Sequence, residues 1–162
     1  MSKEIERKFL VIEDSWRTNE GIPYRQGYLS TDRHRTVRVR IAGPEAWLTV
    51  KGITRGATRA EYEYPIPVAD AREMLDTLCH EPLIEKQRYR VDFGGLTWEV
   101  DEFEGANAGL VVAEVELERE DQPFERPPGW AGRSPTTPST STPIWWTSPI
   151  PAGRRLCHAA GS

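Results

Sequence analysis

The sequence predicts a mainly β, α+β fold: eight antiparallel strands closed into a barrel or tunnel with a charged interior and helices packed outside. Three observations predict it. Eight stretches alternate polar and apolar residues with the period of two that strands require. Charges of one sign recur on single faces, as in Glu4/Glu6, Arg38/Arg40, Glu61/Glu63 and Glu114/Glu116. Only one stretch, Val68 to Leu78, has helical spacing. Eight strands suffice to close a barrel wide enough for a small ligand.

In chain order, Glu4-Ile5-Glu6-Arg7-Lys8-Phe9-Leu10 sets Glu4, Glu6 and Lys8 on one face and Ile5 and Phe9 on the other. Asp14 to Gly21 reads as a surface turn or short helix. Tyr24 to Leu29 is a second strand, and Thr36 to Ile41 a third, with Arg38 and Arg40 opposite Val37, Val39 and Ile41. Ala42-Gly43-Pro44-Glu45 turns the chain into Trp47 to Lys51, which completes a hairpin. Ala60 to Ile66 carries Glu61 and Glu63. In the helix, Val68, Ala71, Met74, Leu75 and Leu78 form an apolar stripe. Ile84 to Val91 carries Lys86, Arg88 and Arg90; Leu96 to Phe103 carries Glu99 and Asp101; Leu110 to Glu118 carries Glu114 and Glu116. Tyr62 and Tyr64, opposite Glu61 and Glu63, are expected to pack under a helix, and no inward aromatic set suited to an organic base is evident.

With 162 residues the chain suits one domain with a sizeable core, assigned to residues 1–126. Residues 127–162 form an atypical tail rich in Pro, Ser and Thr, with seven of the thirteen prolines between Pro127 and Pro151, so neither helix nor sheet is expected there and the stretch reads as largely disordered, or held only by its tryptophans, Trp130, Trp145 and Trp146. The net charge of −4 argues against nucleic acid as a partner. The two cysteines, Cys79 and Cys157, have no metal-ligand spacing, and no apolar run approaches a membrane span, so the cytoplasm is the expected location. His34, His80 and His158 lack partners in the pattern. A homodimer is possible, although no stretch marks an interface.

A polar face on a half-buried sheet is the ordinary explanation for any one of these strands. Same-sign pairs two residues apart repel across about 7 Å, however, and sorting charges by strand suggests sorted ligands. Carboxylates suit hard divalent cations, and arginine forks suit phosphate oxygens. Facing each other across a cavity, they match a metal–polyphosphate complex.

The strand series resembles the CYTH domain of the triphosphate tunnel metalloenzymes. The E-x-E-x-K opening at Glu4, Glu6 and Lys8 is followed by Arg25-Gln26-Gly27-Tyr28-Leu29, Arg38-Val39-Arg40, Leu48-Thr49-Val50-Lys51-Gly52, Glu61-Tyr62-Glu63, Glu85-Lys86-Gln87-Arg88-Tyr89, Glu99-Val100-Asp101 and Ala113-Glu114-Val115-Glu116. One such motif is weak; eight in order over residues 2 to 130 are specific. The resemblance implies Mg²⁺ or Mn²⁺ held by Glu4, Glu6, Glu114 and Glu116. It implies phosphates gripped by Lys8, Arg38, Arg40, Lys51, Lys86 and Arg88, with Glu61, Glu63 and Asp101 as further tunnel acids. Lys86, Glu4, Glu6 and Glu116 are the residues expected to act in catalysis. The implied reaction is metal-dependent hydrolysis of a triphosphate, foremost tripolyphosphate to pyrophosphate and phosphate. The alternatives are an adenylate cyclase, a thiamine-triphosphatase and a non-catalytic polyphosphate-binding module.

The resemblance stops after Gly132, where relatives continue with a sequence such as E-V-T-D-D-P. One possible set of codons for Ser134 to Pro138, TCA-CCG-ACG-ACC-CC, moved back by one base, would read V-T-D-D-P, so a frameshift near Arg133 is expected. The coding DNA tests it.

Overall fold

The computed structural model describes residues 2–17, 20–56, 58–128 and 130, with side chains from Ile5 onward. Eight strands run in the order β1 (Ser2–Leu10), β2 (Ile22–Ser30), β3 (Arg35–Ala42), β4 (Glu45–Gly52), β5 (Thr58–Pro65), β6 (Ile84–Phe93), β7 (Leu96–Phe103) and β8 (Val111–Glu116). One helix, α1 (Val68–Thr77), separates β5 from β6, and a single 3₁₀ turn at Gly105–Asn107 precedes β8. Every neighbour is antiparallel, and the sheet closes as β1-β5-β4-β3-β2-β6-β7-β8. Closure leaves no unpaired edge.

Register decides which residues share the interior. Glu6 lies opposite Glu116 and Lys8 opposite Glu114. Lys51 lies opposite Glu61, Arg88 opposite Asp101, and Lys86 opposite Tyr24. Directly opposed residues point to the same side of a sheet. The charged faces therefore converge on one cavity, and the apolar faces point outward.

Those outward faces need covers. Over β3 and β4 the cover is α1: Ala71 and Leu75, four residues apart, bury against Val39 and Ala46, flanked by Leu29, Ile41, Leu48, Ile66, Val68, Met74, Cys79 and Leu83. The chain after α1 presses so closely on β2 that a Cβ at Gly27 would lie 2.7 Å from Leu83 Cδ2 and 2.9 Å from Cys79 Cβ. Only glycine fits that approach.

Over β1, β7 and β8 the cover is irregular chain. Phe9, Val11, Trp16, Trp98, Val100, Ala113, Val115, Leu117 and Trp130 form one buried cluster. Trp98 is its hub, with ring centroids 5.7 Å from Phe9, 5.9 Å from Phe124 and 5.3 Å from Trp130. The Trp130 indole N–H donates to Glu13 Oε1 at 2.9 Å. Trp16 departs from the expected surface turn. The chain does turn at residues 14–16, but the indole is buried, 4.9 Å from the Tyr89 ring. Buried Trp130 seats the first residues of the tail on the barrel; the tail from residue 131, including the reading-frame expectation, lies outside the described residues.

Tyr62 and Tyr64 do face outward from β5, but they are 43% and 55% exposed. Among the described residues no helix covers them, because α1 packs on β3 and β4.

Candidate active site

The cavity wall is built from alternate residues of all eight strands. At its centre lies Asp101 of β7, fully buried. It accepts from Lys86 Nζ at 2.5 Å, from Arg88 Nε at 2.7 Å and from Arg88 Nη2 at 2.7 Å. Arg88 also donates to Glu99 at 2.5 Å and reaches Glu114 at 3.4 Å. Lys8 Nζ stands between two carboxylates, 3.1 Å from Glu6 Oε1 and 3.1 Å from Glu114 Oε1. Across the cavity, Lys51 pairs with Glu61 at 2.9 Å. Arg40 meets Glu63 at 3.1 Å, and Glu63 also accepts from Thr49 Oγ1 at 3.1 Å. Glu116 faces Glu6 in register, and Glu4 lies opposite Arg59.

Arg38 stands apart. Among the described residues it has no acidic or carbonyl partner, and its Nε is buried without a hydrogen bond. A buried donor left unmade costs about 1–3 kcal/mol, more when charged. The site thus retains a guanidinium with unmet demand for an anion.

The electrostatics follow from the pairing. Burial alone would lower the Lys8 pKa, but Glu114 and Glu6 outweigh it and hold the ammonium above the ordinary lysine range. Burial likewise opposes charge on Arg88 and Glu114. Asp101, Glu114 and Glu99 nevertheless raise Arg88, and Lys8, Arg88 and Lys86 hold Glu114 well below the usual carboxylate range. Lys86 moves the other way. Burial, with the like charge of Arg88 beside it, pushes its pKa down to about 8, although Asp101 opposes the shift. Burial and Arg38 also lower Arg40.

The sequence reading missed an inward aromatic surface. Tyr24 lies under three cations, its ring centroid 4.9 Å from Arg88 Cζ, 5.5 Å from Arg40 Cζ and 5.6 Å from Lys86 Nζ. Trp47 takes Arg40 on its ring at 5.0 Å. An aromatic face orients a cation without neutralising it, so these rings hold basic groups while leaving their charge for a ligand. The register signal was available: Tyr24 shares parity with Gln26, and Trp47 with Thr49 and Lys51. Glu99 and Thr49 are further wall residues the reading did not assign to the site.

Among the described residues no three acidic groups converge at metal-ligand spacing. The donor set still fits a hard divalent ion. All its ligands are carboxylate oxygens, and the Glu6/Glu114 pair already closes on a cation, the Lys8 ammonium.

The same pattern identifies the family. A family model for the CYTH domain matches residues 2–134. The chain belongs to the CYTH-domain family. It is 51% identical over 137 residues to an inorganic triphosphatase of Acetivibrio thermocellus, covering 84% of this chain and 87% of the relative. It is 39% identical over 137 residues to an inorganic triphosphatase of Nitrosomonas europaea, covering 82% and 89%. The crystal structure of an inorganic triphosphatase superposes with a TM-score of 0.56 at 36% identity, covering 82% of this chain and 86% of that one. The eight-stranded closed barrel is thus the CYTH fold, and membership implies an enzyme that hydrolyses a triphosphate with the help of a divalent metal. No helix of the described residues is long and apolar enough to cross a membrane.

Proposed function

We propose that this CYTH barrel hydrolyses inorganic tripolyphosphate to pyrophosphate and phosphate, with Mg²⁺ or Mn²⁺. The observation that carries the reading is Arg38, whose buried Nε has no hydrogen-bond partner among the described residues, beside Arg40, which shares the Tyr24 ring with Arg88. Such a cluster is stable once a polyanion completes it.

In this reading Arg38, Arg40, Lys51, Lys86 and Arg88 bind phosphate oxygens, and Lys8 joins them when released from Glu6 and Glu114. Asp101, Tyr24 and Trp47 orient the basic groups. Glu4, Glu6, Glu114 and Glu116 hold the metal, with phosphate oxygens and water completing its shell. When bound, the ion neutralises phosphate charge and activates the attacking water. The water oxygen bonds to a terminal phosphorus, the bridging P–O bond breaks, and the Lys86 ammonium donates to the departing oxygen. Of the water's two protons one stays on the released phosphate, and the other passes to the carboxylates around Glu116 and out to solvent, from which Lys86 regains the proton it gave. Positioning and charge stabilisation supply the rate, so no covalent nucleophile is required.

Phosphate release from tripolyphosphate, ATP and thiamine triphosphate, each with Mg²⁺, Mn²⁺ or EDTA, tests this. Tripolyphosphate is expected to be cleaved fastest, and EDTA to abolish the reaction. Equal or faster release from ATP or thiamine triphosphate would move the substrate to an organic triphosphate. Binding without release would leave a polyphosphate-binding module.

A further inference from the structure

The charged cavity has an asymmetry that runs along the barrel axis. At the end reached by Leu10 of β1, the inward-facing positions of five consecutive strands are apolar or aromatic: Tyr28 on β2, Ile84 on β6, Phe103 on β7, Val112 on β8 and Leu10 itself. Tyr28, Ile84, Phe103 and Val112 form one buried cluster, 2–6% exposed, with Leu10 and Leu110 packed against it. On β3 and β4 the same end is finished by Thr36 and Lys51, both buried. At the opposite end the inward side chains are open to solvent, with Arg90 66% exposed, Glu99 31% and Glu63 32%.

Lys86 is the cation lying against the apolar layer, its Nζ 5.6 Å from the Phe103 ring. On the β4 side of the same end Lys51 is paired with Glu61 at 2.9 Å, so this end offers a phosphate chain little free countercharge. A polyanion driven into that layer would lose its hydration without compensation.

We infer that the cavity is a blind pocket with one mouth, at the Arg90/Glu99/Glu63 end, and that phosphate chains enter it end-first. The inference rests on the triphosphatase reading and specifies how the substrate is taken. A linear triphosphate lies with one terminus toward Lys86 and the other toward the mouth. A longer linear chain inserts one end and leaves the remainder outside. An internal segment of a long chain has no way in, because it would have to thread through the Phe103/Ile84 layer. Hydrolysis therefore proceeds from chain ends, and a cyclic trimetaphosphate, which has no end, is not cleaved.

The test is the product pattern from long-chain polyphosphate, run beside tripolyphosphate and trimetaphosphate with Mg²⁺. End-first entry predicts phosphate or pyrophosphate as the early products, with no fragments of intermediate length and no loss of trimetaphosphate. Early intermediate-length fragments, or trimetaphosphate cleaved as fast as tripolyphosphate, would overturn the inference. The double variant Ile84→Ala/Phe103→Ala, provided it melts cooperatively and still cleaves tripolyphosphate, is expected to begin producing intermediate fragments.

Light scattering on complexes with polyphosphates of different length decides the case in which long chains are not hydrolysed. End-first binding limits the complex to two protein molecules per chain whatever its length. A number that grows with chain length, or no binding to chain ends, would refute the single mouth. Absence of hydrolysis of every phosphate chain would instead refute the triphosphatase reading while the binding stoichiometry still judged the pocket.

Discussion

Replacing Asp101 with asparagine removes the charge on which the basic wall converges. The carboxylate holds Lys86 and Arg88 through three contacts of 2.5 to 2.7 Å, at a position with no solvent exposure. Removing one partner of a buried ion pair costs about 3–5 kcal/mol, because the other charge is left uncompensated. Asparagine keeps one acceptor oxygen, so the lower part of that range, about 3 kcal/mol, is expected. For a chain of this length each kcal/mol moves Tm by roughly 3 °C, which gives a fall of about 9 °C. Tripolyphosphate supplies the missing negative charge, so it should recover more of the loss in Asp101→Asn than it adds to the wild type. The assay is thermal melting of both proteins with and without tripolyphosphate. An unchanged Tm for the variant, or equal protection of both proteins, would refute Asp101 as the electrostatic anchor of the site.

Four further outcomes are expected. Arg38→Ala should not lower Tm and is expected to raise it, since it removes a buried donor with no partner among the described residues and a like charge beside Arg40, while raising KM for tripolyphosphate about 10- to 100-fold by the loss of a charge-assisted contact; a destabilised variant with normal KM would contradict this. With the Lys86 pKa pushed down to about 8 by burial and by Arg88, affinity for tripolyphosphate should weaken as pH rises through that value, and Lys86→Arg should flatten the profile. Stability from this group runs the other way. The unfolded lysine keeps its proton up to 10.5, so between about 8 and 10.5 the unfolded state binds more protons and stability rises with pH, as pH-dependent melts would show. Trp130→Ala should cost about 3–5 kcal/mol in denaturant unfolding, because it empties the space beside Trp98; a loss under 1 kcal/mol would mean the tail is not seated on the barrel.

The eight strands and the helix were legible because each carries its own periodicity, and the wall residues were legible because period-two parity fixes them together. Lys51, Lys86, Arg88 and Asp101 were named from parity, and register then placed them in one cavity. What parity could not supply was the pairing across strands. That Lys8 stands between Glu6 and Glu114, or that Asp101 gathers Lys86 and Arg88, depends on which strands become neighbours in the closed order. Tyr24 and Trp47 were missed because aromatic residues on a strand read as packing surface. Their parity with Gln26 and with Lys51 already set them inward; what it could not show was the cations they support. Trp16 was missed as core because irregular chain carries no period, and Trp130 was read only as a residue that could hold the tail; together they cover the β1–β7–β8 face. Tyr62 and Tyr64 show the converse: their face was assigned correctly, but the single described helix lies over other strands.

The measurement closest to the central claim is metal-dependent release of phosphate from tripolyphosphate by the wild type and by the double variant Glu4→Ala/Glu6→Ala, each checked for a cooperative melt. Hydrolysis by the wild type that EDTA abolishes is expected, with loss of that activity in the folded variant. Undiminished metal-dependent hydrolysis by the variant would contradict it.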